Sequence, residues 1–364
     1  MKRFRIDKYR LMELLAPVLG FLASVVVLLI IAGIVGESPG NAIRAILRFT
    51  VSNASRLASV FSVAIPLFIS GLAVAIAFRA GVFNIGVEGQ YIIGGLVGAL
   101  AGIYLHLPKA IHLPVVVLAA MAGGALWASI PAILKITKGI HEVISTIMFN
   151  NIALALVNYL VNGPLSGRGE QSLEPQTRKI LSTALFGKLN HWFQAIGLNV
   201  PNHVYLDYSL IVAIIMGILV YILLFRMRFG FEIRSVGTSI DVSRYAGIRV
   251  KSVQLGVFLI SGAVAGLIGT QEIFAIRGHY TFEIASGLGF DGIAIALIGR
   301  NSPIGVVFSA ILFAFLKQAG YGLQLYTSVP NAIIYMITGL MIIFIVINEI
   351  VTRYIRALRK KEAA

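Results

Sequence analysis

Long apolar runs separated by short polar stretches make up most of the chain. Since a membrane helix needs about 20 mostly apolar residues, windows of that length predict ten candidate spans. They lie at about 14–36, 57–78, 91–105, 113–134, 143–163, 207–225, 253–272, 286–299, 303–318 and 330–348. The third, eighth and ninth are short and border glycine-rich sequence, which favours broken or re-entrant helices. The pattern predicts an all-α, polytopic membrane protein with about ten transmembrane helices in a single domain over residues 1–364.

Two polar stretches between spans carry apolar residues at helical spacing. In residues 37–56, Ile43, Ile46, Leu47 and Val51 recur at the interval of an amphipathic helix on the outer face. The second half of the external loop at about 164–206 has a similar pattern, which predicts a helix lying on the membrane interface with Trp192 at headgroup depth. This second helix either anchors the loop or provides a docking platform for a partner outside.

The cytoplasmic loop at about 226–252 has a pattern of its own. Ser239 is placed to cap a short helix that contains Asp241 and Arg244 and stops at Gly247. A rigid knob of this kind has no evident use in folding the membrane part, so it predicts docking of a cytoplasmic partner. The alternative is an ordinary loop enriched in positive charge.

Composition supports the membrane assignment. Hydrophobic residues make up 58% of the chain, charged residues only 12%, and the mean hydropathy is +0.90. Soluble proteins carry about 25% charged residues, so a soluble fold is excluded. The absence of cysteine excludes disulfides, thiolate metal sites and a cysteine nucleophile.

The net charge of +15 is best explained by topology. If ten spans follow a cytoplasmic N-terminus, 20 of the 30 basic residues fall in cytoplasmic segments. This bias places both termini in the cytoplasm. The basic ends are then anchors to anionic membrane lipid, and nucleic acid is not an expected partner. The first span is too long and poorly flanked for a cleaved signal peptide, so we expect a retained helix.

Two glycine-rich segments place polar residues between apolar runs. The first, FRAGVFNIGVEGQYIIGG at 78–95, contains Arg79, Asn84 and Glu88. Polar groups at membrane depth need a cavity or a partner, and glycine permits an unwound backbone that faces a solute. The alternative is a cytoplasmic-side turn held by pairing of Arg79 with Glu88.

The second segment, GLGFDGIAIALIGRNSPIG at 287–305, places Asp291 at the start of an apolar run. Its plain explanation is an acidic side chain at a helix N-terminus. The remaining intramembrane polar residues bond neighbouring helices or contact a polar solute, and the sequence leaves both open. They are Asn150, Asn151, Gln271 and Glu272.

Glycine spacing and a weak internal repeat bear on helix packing. Stripes of glycine at four-residue spacing predict closely packed helices; they are Gly94, Gly98 and Gly102, and Gly262 and Gly266. The segment FISGLAVAI at 68–76 is similar to LISGAVAGL at 259–267. With ten spans the two copies run in opposite directions, which predicts a 5+5 inverted repeat.

No catalytic or metal-binding motif is present in the sequence. There is no G-x-x-x-x-G-K-[ST] loop, and the pair His141–Glu142 is followed by Ser145 where a zincin needs histidine. Gly287, Gly289 and Asp291 do not match the spacing of intramembrane aspartyl proteases. We therefore expect a chain that is not an enzyme and has no catalytic or metal-binding residues.

Three stretches together resemble a known family. They are FRAGVFNIGVEGQYIIGG, FGFEIRSVGTSIDVSRYAGIRVKSVQLGVFLISGAVAGLIG and GLGFDGIAIALIGRNSPIG. They are similar to the permease subunits of ABC importers in the branched-chain amino acid, ribose and nucleoside group. The forms FNIGVEGQ and GFDGIAIALIG look most like nucleoside-type permeases, and with the span pattern the resemblance covers nearly the whole chain.

The resemblance implies partners and a location. Such a permease pairs with a second, homologous permease in a bacterial-type cell (inner) membrane. A cytoplasmic ABC ATPase binds the ATP and Mg²⁺, so this chain holds no cofactor. A substrate-binding lipoprotein delivers the solute from outside. The residues that match the family's ATPase-coupling segment are Gly237, Ser239, Asp241, Arg244, Ala246 and Gly247.

A nucleoside has an apolar base and a hydroxylated sugar, so amides and aromatic rings suit it. The expected substrate pathway is Phe83, Asn84, Glu88, Asn150, Asn151, Gln271, Glu272, Phe290 and Asp291. A simple sugar or a branched-chain amino acid is the alternative substrate. The alternative of another class is an ion-coupled secondary transporter or channel that uses the acidic residues of this set.

Overall fold

The computed structural model describes residues 25–27, 29–34, 36–167, 174–195, 197, 200–201, 204–281, 287–327 and 339. These residues are mostly helical, and no strand longer than an isolated bridge occurs among them. The helices are α1 Pro39–Thr50, α2 Ala54–Arg79, α3 Val87–Tyr104, α4 Lys109–Lys138, α5 Glu142–Asn162, α6 Asn190–Ala195, α7 Tyr208–Arg226, α8 Arg228–Thr238, α9 Ile240–Tyr245, α10 Val250–Ala265, a π-helical turn Glu272–Arg277, α11 Leu288–Ile298 and α12 Pro303–Tyr326.

Five of these helices are long and apolar enough to cross a membrane: α2, α4, α5, α7 and α12. They match predicted spans, and the chain is a helical, polytopic membrane protein. The expectation of a short ninth span is wrong, because α12 continues through Lys317 and Gln318 for 24 residues. The eighth span is the 11-residue α11, short as predicted, whereas the third is the 18-residue α3, longer than its predicted window. The tenth predicted span and most of the first lie outside the described residues.

The described residues form two compact units, one of segments up to Val60 and from Leu312 onward, the other Phe61–Ile311. In the first unit, α1 begins where Ser38 Oγ accepts a hydrogen bond from the Asn41 backbone N–H at 3.2 Å. Its buried face packs in a small apolar cluster with α12, formed by Ala32, Ala42, Ala45, Ile46, Ala319 and Leu323. A helix in this region is confirmed; of the apolar residues that predicted it, Ile46 is buried while Ile43 and Leu47 are exposed, and its place on the outer face stays a prediction.

The loop at about 164–206, which was predicted to be external, folds differently from its prediction. The one regular helix among its described residues is α6, six residues around Trp192, whose side chain is 77% exposed. The preceding apolar residues are not helical, because they fold back onto the protein core. The backbone N–H of Ile180 donates to Gly278 O, and that of Phe186 donates to Phe274 O, both at 2.9 Å. The expectation of one longer interfacial helix is therefore wrong.

Helices α3, α4 and α10 meet along a seam of glycine. A Cβ on Gly94 would lie 2.5 Å from the Cα of Gly266, and one on Gly124 would overlap the carbonyl oxygen of Gly262. Only glycine, whose side chain is a single hydrogen atom, permits the backbones to approach this closely. The predicted close packing is therefore confirmed at these positions.

Helices α2 and α10 run antiparallel. Near one end, Gln271 Nε2 donates to Ser62 Oγ at 3.2 Å, and further along Ser261 Oγ donates to Ala73 O at 2.7 Å. Residue numbers therefore rise along α2 as they fall along α10. The two similar segments at 68–76 and 259–267 lie in these helices and point in opposite directions.

Replacing Gly124 by alanine should destabilise the seam. The new methyl group overlaps backbone atoms that cannot rotate away, so we expect the free energy of unfolding to fall by about 1–3 kcal/mol. Gly40→Ala in α1 is the matched control, because its Cβ meets only the distant end of Arg44. Thermal unfolding of the purified protein in detergent measures both, and equal melting temperatures for the two variants would contradict a tight seam.

Candidate functional site

The first helix break lies between the end of α2 and the start of α3. Gly81 adopts φ +69°, a conformation that favours glycine, and the chain stays non-helical until Val87. Asn84 is fully buried within this break. Its Nδ2 donates to Gln90 Oε1 and to Ser261 Oγ, both at 2.9 Å. Its Oδ1 accepts hydrogen bonds from the Gly86 backbone N–H and from Gln90 Nε2. The amide of Asn84 therefore ties the break to α10.

Asn150 on α5 supports the same break from the other side. Its Oδ1 accepts from the Gly89 backbone N–H at 2.8 Å, and its Nδ2 donates to Ile85 O at 3.0 Å. These are backbone groups that the interrupted helix leaves without helical partners. Asn151, the next residue, is exposed and donates to Ile147 O of its own helix at 3.3 Å.

Glu88 joins the first break to the second. Its side chain is buried, and its carboxylate accepts hydrogen bonds from two backbone N–H groups, Gly287 at 3.0 Å and Gly289 at 2.7 Å. Gly289 approaches so closely that a Cβ there would lie 2.5 Å from Glu88 N. A carboxylate from α3 thus caps the N-terminus of α11, where negative charge is favoured. Asp291 is buried in the first turn of the same helix.

Two predicted aromatic residues remain accessible beside these breaks. Phe83 is 52% exposed and packs edge-on against Phe78, with ring centroids 5.2 Å apart. Phe290, in the first turn of α11, is 46% exposed. Phe83 precedes Asn84 in the first break, and Phe290 follows Gly289, whose backbone N–H donates to Glu88.

The predicted pair at residues 271 and 272 lies elsewhere. Gln271 Nε2 donates to Tyr205 O at 2.9 Å and to Asp207 Oδ2 at 3.3 Å, which joins the segment before α7 to the start of the π-helical turn. Glu272, in the π-helical turn, accepts from Arg277 Nε at 2.6 Å. Neither side chain contacts the junction formed by Glu88.

Arg79 has partners that the sequence did not predict. Its Nε donates to Asn301 O at 2.8 Å and its Nη2 to Arg300 O at 3.3 Å, in the turn between α11 and α12. Both acceptor residues have φ 52°, so their carbonyl groups face away from the helical direction. The alternative pairing with Glu88 is not formed. The sequence showed only that Arg79 lies at the end of a span, and this position does not identify the groups that it binds.

The short capped helix predicted in the loop at about 226–252 is present. Ser239 Oγ accepts from the Val242 backbone N–H at 3.4 Å, α9 ends at Tyr245, and Gly247 adopts φ +80°. Val242 and Tyr245 are 67% and 94% exposed. Asp241 and Arg244 form a long, exposed ion pair of 3.9 Å, which contributes little to stability. Ala246 is the C-cap residue.

Gly237 connects this segment to the first break. A Cβ on Gly237 would overlap Arg79 O and lie 3.1 Å from the carbonyl carbon of Ala80. The end of α8 therefore rests directly on the backbone where α2 ends. Within the part of the chain that the structure describes, no cluster of three metal-ligating side chains occurs.

The five long apolar helices, with two buried breaks that hydrogen bonds join to each other, mark the chain as a polytopic membrane protein. The chain belongs to the family described as branched-chain amino acid transport system, permease component, whose model matches residues 56–346. It is a transport subunit of ABC-transporter type, not an enzyme.

Three curated relatives share much of their length with this chain. The guanosine ABC transporter permease NupP of Bacillus subtilis is 36% identical over 82% of this chain and 83% of its own. The glucose ABC transporter permease TsgB13 of Haloferax volcanii is 34% identical over 93% and 88%. The nucleoside ABC transporter permease NupB of Lactococcus lactis is 30% identical over 97% and 96%. No solved structure matches the chain.

Replacing Glu88 by glutamine should weaken the junction between the two breaks. The amide keeps one acceptor oxygen but turns an NH₂ group toward the second N–H donor, which is left unpaired. We expect the free energy of unfolding to fall by about 1–3 kcal/mol. Glu232→Gln, which removes only the surface pair with Arg228, should change it by less than about 0.5 kcal/mol. Thermal unfolding in detergent compares the two variants. An unchanged melting temperature for Glu88→Gln would disprove the capping role.

Proposed function

We propose that this chain forms, with a second homologous permease, the pathway of an ATP-driven importer for nucleosides. The observation that carries the proposal is the junction at Glu88, where two helix breaks meet with Phe83 and Phe290 accessible beside them. Broken helices at membrane depth are a common device for binding a solute. Relatives named for guanosine and nucleoside transport support the choice of solute.

The contacts support an inverted repeat of five plus five spans. The first copy's α2 carries Gly71, where a Cβ would meet Ile295 of α11 and Val306 of α12. The second copy's α10 packs through Gly262 and Gly266 against α4 and α3. Each similar segment therefore packs on the helices that follow its counterpart. The sequences GVEG at 86–89 and GFDG at 289–292 then occupy equivalent positions.

The hydrogen bonds divide the proposed pathway residues into two roles. Asn84, Glu88 and Asn150 use their polar atoms within the protein, so they hold the breaks in shape. The aromatic faces of Phe83 and Phe290 remain available, and stacking on a nucleobase suits them. We assign solute contact to these two rings and scaffolding to the amides and carboxylate.

A simple sugar is the second candidate solute, because a glucose ABC transporter permease is 34% identical over 93% of this chain. Sugar rings also stack on aromatic side chains. An ion-coupled transporter is disfavoured, since the carboxylates of Glu88 and Glu272 already accept hydrogen bonds from Gly287, Gly289 and Arg277.

The exposed knob is proposed to seat in a cytoplasmic ABC ATPase, which binds ATP and Mg²⁺. A lipoprotein outside a bacterial-type inner membrane would deliver the solute, and both termini would lie in the cytoplasm. The contact of Gly237 with the end of α2 gives the knob a short path to the first break. Arg79 extends that path to the turn that follows α11.

Uptake assays on the complete transporter test the solute. In cells without other nucleoside uptake, expression should give saturable entry of radiolabelled guanosine and little entry of glucose or leucine. The double variant Phe83→Leu/Phe290→Leu should raise KM for guanosine up to about tenfold, since each stacked ring contributes roughly 0.5–1.5 kcal/mol. Phe308→Leu, an exposed ring on α12, should leave KM unchanged. Preferential glucose uptake would assign the sugar instead.

Two variants separate docking from coupling. Val242→Ala/Tyr245→Ala should weaken co-purification of the ATPase about tenfold or more, because exposed aromatic anchors dominate such contacts. Arg79→Gln should keep the ATPase bound but lower transport per ATP hydrolysed by about tenfold, since charged hydrogen bonds contribute roughly 1.5–3 kcal/mol. Leu118→Ala/Leu126→Ala, on the exposed face of α4, is the control. Full coupling in Arg79→Gln would exclude its assigned role.

A further inference from the structure

A cavity of about 710 Å³ opens between the turn that joins α4 to α5, helix α9 and the start of α10. Its volume falls within the range of small-molecule sites, about 300–1,000 Å³. The basic residues in its lining come from all three elements: Lys135, His141, Arg244, Arg249 and Lys251. None of the contacts described for the two helix breaks uses these five side chains.

The charges of this cavity are not balanced. Lys135 pairs with Glu142, Nζ to Oε2 at 2.5 Å, and that carboxylate is buried in the pair. Arg244 has only the long, exposed contact with Asp241. Among the described residues, no carboxylate lies within ion-pair distance of Arg249 or Lys251. The cavity therefore carries surplus positive charge on two side chains that are exposed to solvent.

Five of the other lining residues are apolar, while Glu142, Ser252 and Gln254 are polar. The apolar part of the lining includes four isoleucines: Ile136, Ile140, Ile240 and Ile248. The cavity lies where α4 ends and where α5 and α10 begin, so it is at the end of membrane helices rather than within them. An arrangement of cationic and aliphatic groups at that depth matches a ligand with an anionic head and an apolar continuation.

We propose that this cavity binds a phosphate ester, with Arg249 and Lys251 as the principal contacts. The guanidinium fork suits two phosphate oxygens, and the ammonium group supplies a further charge. The isoleucines contact the carbon portion of the ester. Both an anionic phospholipid headgroup and a soluble phosphate ester offer this chemistry, and the apolar wall favours the phospholipid. Binding does not depend on which solute the permease carries.

Native mass spectrometry of the purified transporter, with the subunits that co-purify with this chain, tests the proposal, and phosphatidylglycerol is the probe. The double variant Arg249→Ala/Lys251→Ala should retain about tenfold less phosphatidylglycerol, as expected when charged hydrogen bonds are removed. Lys138→Ala/Arg228→Ala removes the same charge from nearby positions outside the cavity and should retain the lipid. The swap Arg249→Lys/Lys251→Arg keeps the charge and should also retain it, which excludes misfolding as the cause of loss.

Two further probes fix the source of the phosphate. Phosphatidylcholine, whose headgroup has no net charge, should not be retained. Glycerol 1-phosphate should bind weakly if the apolar wall contributes, whereas displacement of the lipid by it would assign a soluble phosphate ester to the same site. Equal lipid retention by the cavity variant and its charge-matched control would overturn the proposal. So would retained lipid together with loss of the co-purified ATPase, which would make the cavity a protein contact. Uptake is not measured in these tests, so their failure is distinct from failure of the proposed function.

Discussion

The carboxylate of Glu88 is the contact on which the two helix breaks depend. A chain that unwinds at membrane depth leaves backbone N–H groups without water or helical partners, and each unsatisfied group costs several kcal/mol. Glu88 meets this requirement for the second break by accepting from Gly287 and Gly289. Because the carboxylate belongs to the first turn of α3, the second break can keep its shape only while the first is in place.

Close approach of the helices makes this mutual support possible. Ser261 is near enough to bond both Ala73 O and the amide of Asn84, which requires α10 to pack tightly on its neighbours. Gly262 and Gly266 permit this tight packing, because no side chain separates their backbones from α3 and α4. The seam and the polar junction therefore form one structure. Loosening the first would lengthen the hydrogen bonds of the second.

The sequence predicted the features that depend on short-range interactions and missed those that depend on contacts between distant residues. The long spans, the cap at Ser239 and both breaks depend on nearby residues, so local patterns were sufficient for them. The partners of isolated polar residues lie far away in the sequence: Asn150 and Gly89 are 61 positions apart, and Arg79 and Asn301 are 222 apart. The prediction for the loop at about 164–206 was wrong for the same reason. Its apolar spacing fits a helix, but packing against the π-helical turn determined its path.

The placement of Arg79 constrains how motion can pass through the chain. Its backbone contacts Gly237 at the end of α8, while its guanidinium holds the turn between α11 and α12. A push on the knob that moved α8 would therefore act on the end of α2 and on the turn after α11 together. Since Glu88 fixes the starts of α3 and α11 to each other, the two breaks cannot respond separately. Under the proposed function this favours rocking of the linked helices over local unwinding of either break.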